Sequence, residues 1–390
     1  MTPPPGGSIP VCRPHLFGDE AAHLLAALAE GSLSGNSPAV GRFEDAFARW
    51  AGVPHAVAVS SGTAALHVAL AALGIGPGDE VVVPDFSMIS PVLAILYQGA
   101  VPVPADVDHT WNLDPGALDA VISPRTRAIL VVHTYGHPAR LPELRDVARA
   151  RSIPLVEDVA EALGARVRGE RVGSAGDLAC HSFYANKIIT TGEGGMVTTS
   201  DPALAEAARR LRNLCFGDRP ETRFIHDRVG FNYRLSGLQA ALGAAQLRHV
   251  EQAIAAKERI GRLYDGLLAD VPGLTLPPDE PWAERVSWVY GLLVEAPFGM
   301  SRADLQTSLA ARGIETRRFF EPVHRQPILG LSPTGREGWR SVELAAKGIY
   351  LPSYVGMTEA EITQVCEVIR TASPPRTGGA RRAESVQTDR

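Results

Sequence analysis

Lysine is nearly absent from this chain: its 390 residues hold three, Lys187, Lys257 and Lys347, against 35 arginines. An ordinary surface cation could have been arginine. An amine that must shed its proton and attack a carbonyl could not, because the guanidinium stays protonated at any usable pH. Cysteine is scarce as well. Cys12, Cys180, Cys215 and Cys366 form no CxxC pair and no cluster with histidine, so a disulfide framework and a metal centre are both excluded by spacing. Free thiols in a reducing compartment are expected instead. The net charge is −5 and no long basic block is present, which argues against nucleic acid as a partner. No run approaches the roughly 18 apolar residues of a membrane span. The opening residues MTPPPGGSIPVC lack the basic stretch and apolar core of a signal peptide. A cytoplasmic protein without membrane contact is expected.

What is present reads as an α/β protein. Between about Ala56 and Ser200, short apolar runs alternate with amphipathic stretches: HAVAVSSG, DEVVVPDFS, RTRAILVVHTYG, IPLVEDVAE, LACHSFYANK and GGMVTTSD as strands, TAALHVALAALGI and LPELRDVARARS as helices. Strands that are apolar along their whole length are expected where helices cover both faces. The order predicts a mostly parallel, doubly wound sheet, with ligands at the carboxyl ends of its strands. GIGPGD precedes a strand and TGEGG lacks the Gly-Lys-Ser/Thr ending, so both read as turns, not nucleotide loops. The second is expected to join a hairpin around Lys187. From Ser236 onward one long or kinked helix leads into a smaller α+β region, and the last helix starts at Thr358 with Glu361 as its capping box. The expected division is an N-terminal extension over 1–12, a large domain over 13–245, a small α+β domain over 246–373 and a disordered tail over 374–390. Lys257 and Lys347 fall in helical stretches that read as surface.

Four features point to one place. Ser61-Gly62-Thr63 closes a strand and opens a helix, a natural phosphate seat. Asp158 ends the apolar strand IPLVED, Lys187 follows one strand excursion later, and Ser182 lies five residues before Lys187. Each alone has an ordinary reading, as a helix cap or a solvated acid. Together, in this order, they are what pyridoxal 5′-phosphate (PLP) chemistry needs. A lysine amine forms a Schiff base with the cofactor aldehyde, a carboxylate keeps the pyridine nitrogen protonated, and a helix N-terminus with hydroxyls holds the phosphate.

The motifs SSGTAALH, VEDVAEALGARVRGERVGSAGD, SFYANKIITTGEGGMV and HDRVGFNYRLSGLQAALGAAQL resemble the sugar aminotransferases of the DegT, DnrJ, EryC1 and StrS family along nearly the whole chain. The resemblance implies the aspartate-aminotransferase-type fold, PLP as cofactor, an amino-acid donor with glutamate as the default, and a homodimer with shared active sites. It makes Lys187 the Schiff-base lysine and Asp158 the pyridine partner. It assigns Gly62, Thr63 and Ser182 to the phosphate, together with Asn232 from the neighbouring chain. Asn232 lies too far along the sequence to belong obviously to the Ser61–Thr63 seat. Glu161 falls beside the cofactor's ring oxygen, where an ionised carboxylate would repel a phenolate, so a shared or retained proton is expected. Met88 stands where the family places an aromatic on the cofactor ring. It could pack there through its thioether or simply fill core, and Phe86 is two residues away.

VVHTYGHPARL, the Glu in EDVAEALG and GIETRRFFEPVH look like the branch of the family that forms GDP-perosamine by aminating C4 of GDP-4-keto-6-deoxymannose. Arg317 and His324 in the last motif are candidates to touch sugar or diphosphate. A dTDP- or UDP-linked ketosugar or a keto-cyclitol is the alternative acceptor; the arginine-rich composition suggests a GC-rich genome, where such enzymes often serve antibiotic pathways. A PLP-dependent sugar dehydratase or a non-catalytic regulator is the reading from another class. Dehydratases of this family carry histidine where Lys187 stands, and a regulator would not need the lysine.

Overall fold

A computed structural model describes residues 7–217, 219–332 and 334–372. Its centre is a seven-stranded sheet in the order His55–Val59, Gly195–Thr199, Leu178–Ser182, Leu155–Asp158, Thr126–Val132, Glu80–Pro84, Val101–Ala105. Gly195–Thr199 runs antiparallel to both neighbours, and the remaining pairings are parallel. Side chains alternate between two cores because successive residues of a strand point to opposite faces. Val57, Val59, Val81, Val83 and Leu130 join the helix Gly62–Ala72 on one side. Ala58, Val82, Ile129 and Val131 meet Phe43, Phe47 and Ala240 of the helices Pro38–Ala51 and Gly237–Arg248 on the other. Burial on both faces is why these strands show no polar alternation.

The edge strand Val101–Ala105 is one the sequence reading missed. Its run VPVPA carries two prolines, and a residue without an N–H is tolerated in a sheet mainly at an edge, which is where this strand lies. The expected hairpin is present, with Leu178–Ser182 pairing antiparallel to Gly195–Thr199. Its connection is a 12-residue excursion that carries Lys187, turned by Gly192 at φ +80°.

The long helix is divided. Gly237–Arg248 and Val250–Leu268 meet at His249, whose ψ of 9° breaks the helical path. The second helix packs with Arg302–Ala310 and Glu359–Ala372 on a four-stranded antiparallel sheet ordered Leu274–Thr275, Tyr290–Val294, Gly348–Leu351, Arg317–Arg318. Ile260, Tyr264, Leu292, Ile349 and Ile362 form its core. Ile9 joins that core, and its strand-like bonds to Gly313 and Glu315 tie the N-terminal segment to this region. The Thr358–Glu361 capping box forms as expected, with Thr358 N–H donating to Glu361 at 2.8 Å. The expected disordered tail, 374–390, lies outside the described residues.

Lys257 corrects the sequence reading. It is 3% exposed, not a surface lysine, and its Nζ donates to the main-chain carbonyls of Trp288, at 2.7 Å, and Ser353. Its position explains this: Val250, Ala253, Ile254, Lys257, Ile260, Gly261, Tyr264 and Leu268 form the buried stripe of one helix at three- and four-residue spacing. Lys347 does lie on the surface, bonded to Glu295 and Glu343. The four cysteines are free, with Cys12 half-buried and the other three buried. Among the described residues no helix is long and apolar enough to cross a membrane, and no group of three or more His, Cys, Asp or Glu side chains could hold a metal.

Candidate active site

Three of the parallel strands end on one rim of the sheet, and each delivers a polar group there. His55–Val59 runs into Ser60 and Ser61, Leu155–Asp158 ends on Asp158, and Leu178–Ser182 ends on Ser182. Ser61, Asp158 and Ser182 line a cleft of about 300 Å³, together with Gly62, Thr63, Met88, Ser90, Glu161, Tyr184, Asn186, Lys187, Glu193 and Trp288. The rim is where a doubly wound sheet leaves room for a ligand.

One end of the cleft is built for an anion. Ser61 caps the helix Gly62–Ala72 by accepting from Ala64 N–H at 3.0 Å, which leaves the first N–H groups of the helix, at Gly62 and Thr63, open to a ligand. The helix dipole adds partial positive charge there. Thr63 Oγ1 donates to Ser90 Oγ at 2.9 Å. Gly62 is required by space: a Cβ on it would sit 2.8 Å from Ser182 Cβ. The close approach brings the Ser182 hydroxyl against the helix end.

The other end holds two acids and an amine. Asp158 is buried, accepts from Ala160 N–H at 3.0 Å through Oδ1, and takes no hydrogen bond at Oδ2 from the described residues. Burial raises its pKa, against the pull of Lys187 and His133. Glu161 is buried and accepts from Tyr135 N–H at 2.8 Å; burial raises it to about 7, against the opposing pull of Lys187. Tyr135 makes that bond from the left-handed region at φ 54°, where a bulky residue is uncommon. Lys187 lies half-buried in the excursion after Ser182, and its N–H donates to Tyr184 O at 2.9 Å. Burial lowers the Lys187 pKa, and the Glu161 and Asp158 carboxylates oppose this. An amine so placed has a larger unprotonated fraction at neutral pH than a surface lysine.

Of the expected site residues, the cleft therefore gathers Gly62, Thr63, Met88, Asp158, Glu161, Ser182 and Lys187. Met88 is 44% exposed and faces the cleft, whereas Phe86 is fully buried against Tyr135, Phe319 and Phe320. Three expected residues are not brought to it. His324 is 1% exposed and clamped to Asp85, with Nδ1 bonded to Oδ2 at 2.6 Å and its N–H donating to Oδ1 at 2.8 Å. Arg317 has a side chain 58% exposed, paired with Glu315 at 3.3 Å. Asn232 is exposed and does not line the cleft. Its segment is nevertheless beside the anion seat of its own chain: Ser60 N–H donates to Tyr233 O at 2.8 Å, and Val59 bridges Arg234.

Sequence reasoning missed Trp288, which lays its ring face 3.6 Å from Lys187 Nζ and donates Nε1–H to Asn186 O at 2.9 Å. It sits a hundred residues away, at the head of a run legible only as a strand, so no local signal exposes it. Ser90 was also missed, though its place at the start of the helix Ser90–Tyr97 near Met88 is a readable one. The assembled groups suit a ligand with a phosphate at one end, a basic ring nitrogen against Asp158 and a carbonyl facing Lys187.

Residues 15–370 match the DegT/DnrJ/EryC1/StrS aminotransferase family. The chain is 41% identical over 363 residues to a GDP-perosamine synthase from Caulobacter vibrioides, covering 92% of this chain and 96% of that protein. It is 44% identical over 299 residues to the erythromycin biosynthesis sensory transduction protein EryC1 of Saccharopolyspora erythraea, covering 75% and 79% respectively. The solved structure of DesV from S. venezuelae, in complex with a ketimine intermediate, superposes with a TM-score of 0.85 at 36% identity, covering 91% of this chain and 94% of that one. The chain belongs to the DegT/DnrJ/EryC1/StrS aminotransferase family, and its fold is that of these PLP aminotransferases.

Proposed function

We propose that this chain is a PLP-dependent aminotransferase that moves an amino group from L-glutamate to the C4 ketone of GDP-4-keto-6-deoxymannose. The observation that carries the reaction class is the cleft that holds the Lys187 amine, the Asp158 carboxylate and the Ser61–Thr63 helix end together. The acceptor rests on the 41% identity to the Caulobacter vibrioides GDP-perosamine synthase across nearly the full length of both chains.

The residues present fit PLP. The open helix end at Gly62 and Thr63, with the Thr63 and Ser182 hydroxyls, would hold its phosphate, and Asp158 Oδ2, to which no described residue donates, would take the pyridine N–H. PLP supplies the aldehyde and the electron-withdrawing ring on which amino transfer depends. Lys187 acts first as nucleophile, favoured by burial that lowers its pKa. It then carries the proton at Nζ as a base and acid. Asp158, whose pKa burial raises, would be kept ionised by a protonated ring nitrogen beside it and would fix the orientation of the ring. Trp288 and Met88 add apolar surface to the cleft wall. Arg317, exposed on the strand next to Tyr350, is the candidate for the diphosphate. His324 is reserved for holding Val323–His324 to Asp85.

The division of the chain into a large domain over 13–245 and a small one over 246–373 belongs to the same proposal. The separate core around Ile260, Leu292 and Ile362 supports it, and Ile9 of the N-terminal extension is part of that core. A homodimer in which Asn232 reaches the phosphate of the other subunit belongs to that proposal as well: the Asn232 side chain is exposed, and among the described residues it has no side-chain hydrogen bond. A dTDP-linked ketosugar is the second reading, favoured by 38% identity over 338 residues to a Streptomyces venezuelae dTDP-3-amino-3,4,6-trideoxy-alpha-D-glucose transaminase. Half-reaction spectra of the glutamate-reduced protein against GDP- and dTDP-linked 4-keto and 3-keto sugars separate the two. Reoxidation by the GDP sugar alone supports the proposal; reoxidation by a dTDP sugar alone replaces it.

A further inference from the structure

Lys257 is the most enclosed of the three lysines, and the proposed chemistry gives it no work. It is 3% exposed in the middle of the helix Val250–Leu268, and among the described residues it bonds to no carboxylate. A buried amine without a counter-charge is costly, and apolar replacement of such a group is often neutral or stabilising. Its two acceptors are both main-chain carbonyls outside its own helix, Trp288 O at 2.7 Å and Ser353 O. Burial lowers its pKa to about 7, so near neutral pH much of it is the neutral amine, whose two N–H groups match two carbonyls.

Those carbonyls belong to one knot. Ser353 Oγ lies 3.4 Å from Trp288 O and accepts from Tyr290 N–H at 3.2 Å, while Ser353 N–H donates to Val11 O at 3.2 Å. The knot ends in the cleft, because the Trp288 ring stands face-on to Lys187 Nζ at 3.6 Å and its indole N–H holds Asn186 O at 2.9 Å.

We propose that Lys257 is a positioning residue for the Lys187 amine: by gripping Trp288 O it fixes the indole ring against Lys187 Nζ. This rests on the reading of Lys187 as the residue that bonds the cofactor. A ring face attracts a cation, so a ring held there favours protonated Lys187. Loss of the ring lowers the Lys187 midpoint by about one pH unit.

The test is a double-mutant cycle on the full chain, freed of cofactor. Lys187 acylation by an amine-reactive anhydride is followed across pH by peptide mass spectrometry, since the rate tracks the unprotonated amine. Trp288→Leu is expected to lower the midpoint by about one pH unit. Lys257→Met is expected to lower it in the wild-type background and to have no further effect in the Trp288→Leu background. Equal shifts in both backgrounds, or no shift from Lys257→Met where Trp288→Leu gives one, overturn the proposal. No shift from Trp288→Leu overturns it too. Lys257→Leu, which removes the grip without placing a polar group in the core, is read by the same criteria and decides the matter if Lys257→Met does not fold. Borohydride reduction of the cofactor-loaded protein reports independently on whether Lys187 bonds the cofactor, so failure of that reading is distinguishable from failure of the grip.

Discussion

The main-chain N–H of Tyr135 donates to Glu161 Oε2 at 2.8 Å, and among the described residues this is the one hydrogen bond that the buried carboxyl receives. A single neutral donor does not offset the loss of water, so Glu161 holds its proton to about pH 7.

Glu161 therefore makes the cofactor-free chain lose stability with rising pH. Its folded pKa of about 7 lies above its ordinary value of 4.5, so its contribution is full below about pH 4.5 and is lost as pH rises through 7. Glu161→Gln keeps a carbonyl to accept from Tyr135 and removes the titration. Urea unfolding at pH 5 and pH 8 is expected to show the variant gaining on wild type by on the order of 2–3 kcal/mol between the two. Parallel pH dependences would show that Glu161 is ionised throughout.

Asp158→Asn keeps the shape of the ring-nitrogen contact but not its charge. PLP is expected to remain bound, with turnover lowered by roughly 10²–10⁴-fold. Stopped-flow absorbance of the glutamate half-reaction measures it. A variant with normal rate and spectrum would reduce Asp158 to a strand-end acid.

Gly62 is held to glycine by the side chain opposite. A Cβ there would sit 2.8 Å from Ser182 Cβ, so Gly62→Ala is expected to push Ser182 from the helix end and weaken PLP binding at least about tenfold, or about 1.4 kcal/mol. Gly41 is a control, since a Cβ at that helix position meets nothing within 4 Å. Equilibrium dialysis that gave both variants the wild-type affinity would remove the anion seat from the account.

A composite site predicts complementation. Lys187→Ala and a disruptive change at Asn232 are each expected to be inactive alone. A mixed dimer holds one site with both lesions and one with neither, so about half of its activity returns. The Tyr233 bond to Ser60 within one chain leaves a clear alternative, in which Asn232 serves its own subunit. Proven subunit exchange without recovery would establish that alternative.

The sequence made the sheet legible where burial on both faces forces apolar runs, as in Val81–Val83 and Ile129–Val131. It hid Val101–Ala105, whose prolines are allowed only by its place at the edge. Asp158, Ser182 and the Ser61–Thr63 turn were legible because each closes a strand, and strand ends converge on one rim; Lys187 was legible as a rare lysine in the glycine- and hydroxyl-rich excursion that follows Ser182. Lys257 was misread although the signal existed: it continues the stripe Val250, Ala253, Ile254 and is followed by Ile260 and Tyr264. A long polar side chain on an apolar stripe reads as surface when its carbonyl partners lie far along the chain. Trp288 and the loop around Asn232 were unreadable for the same reason, since only the folded chain brings residue 288 to residue 187 and residue 233 to residue 60.

The central claim is that Lys187 is the amine that bonds the cofactor, and borohydride reduction of the PLP-loaded protein followed by peptide mapping tests it directly. The account predicts one labelled peptide, carrying the reduced cofactor on Lys187, with none on Lys257 or Lys347 and none anywhere in Lys187→Arg. Label on another lysine, or a wild-type protein that binds PLP and yields no labelled peptide, would contradict it.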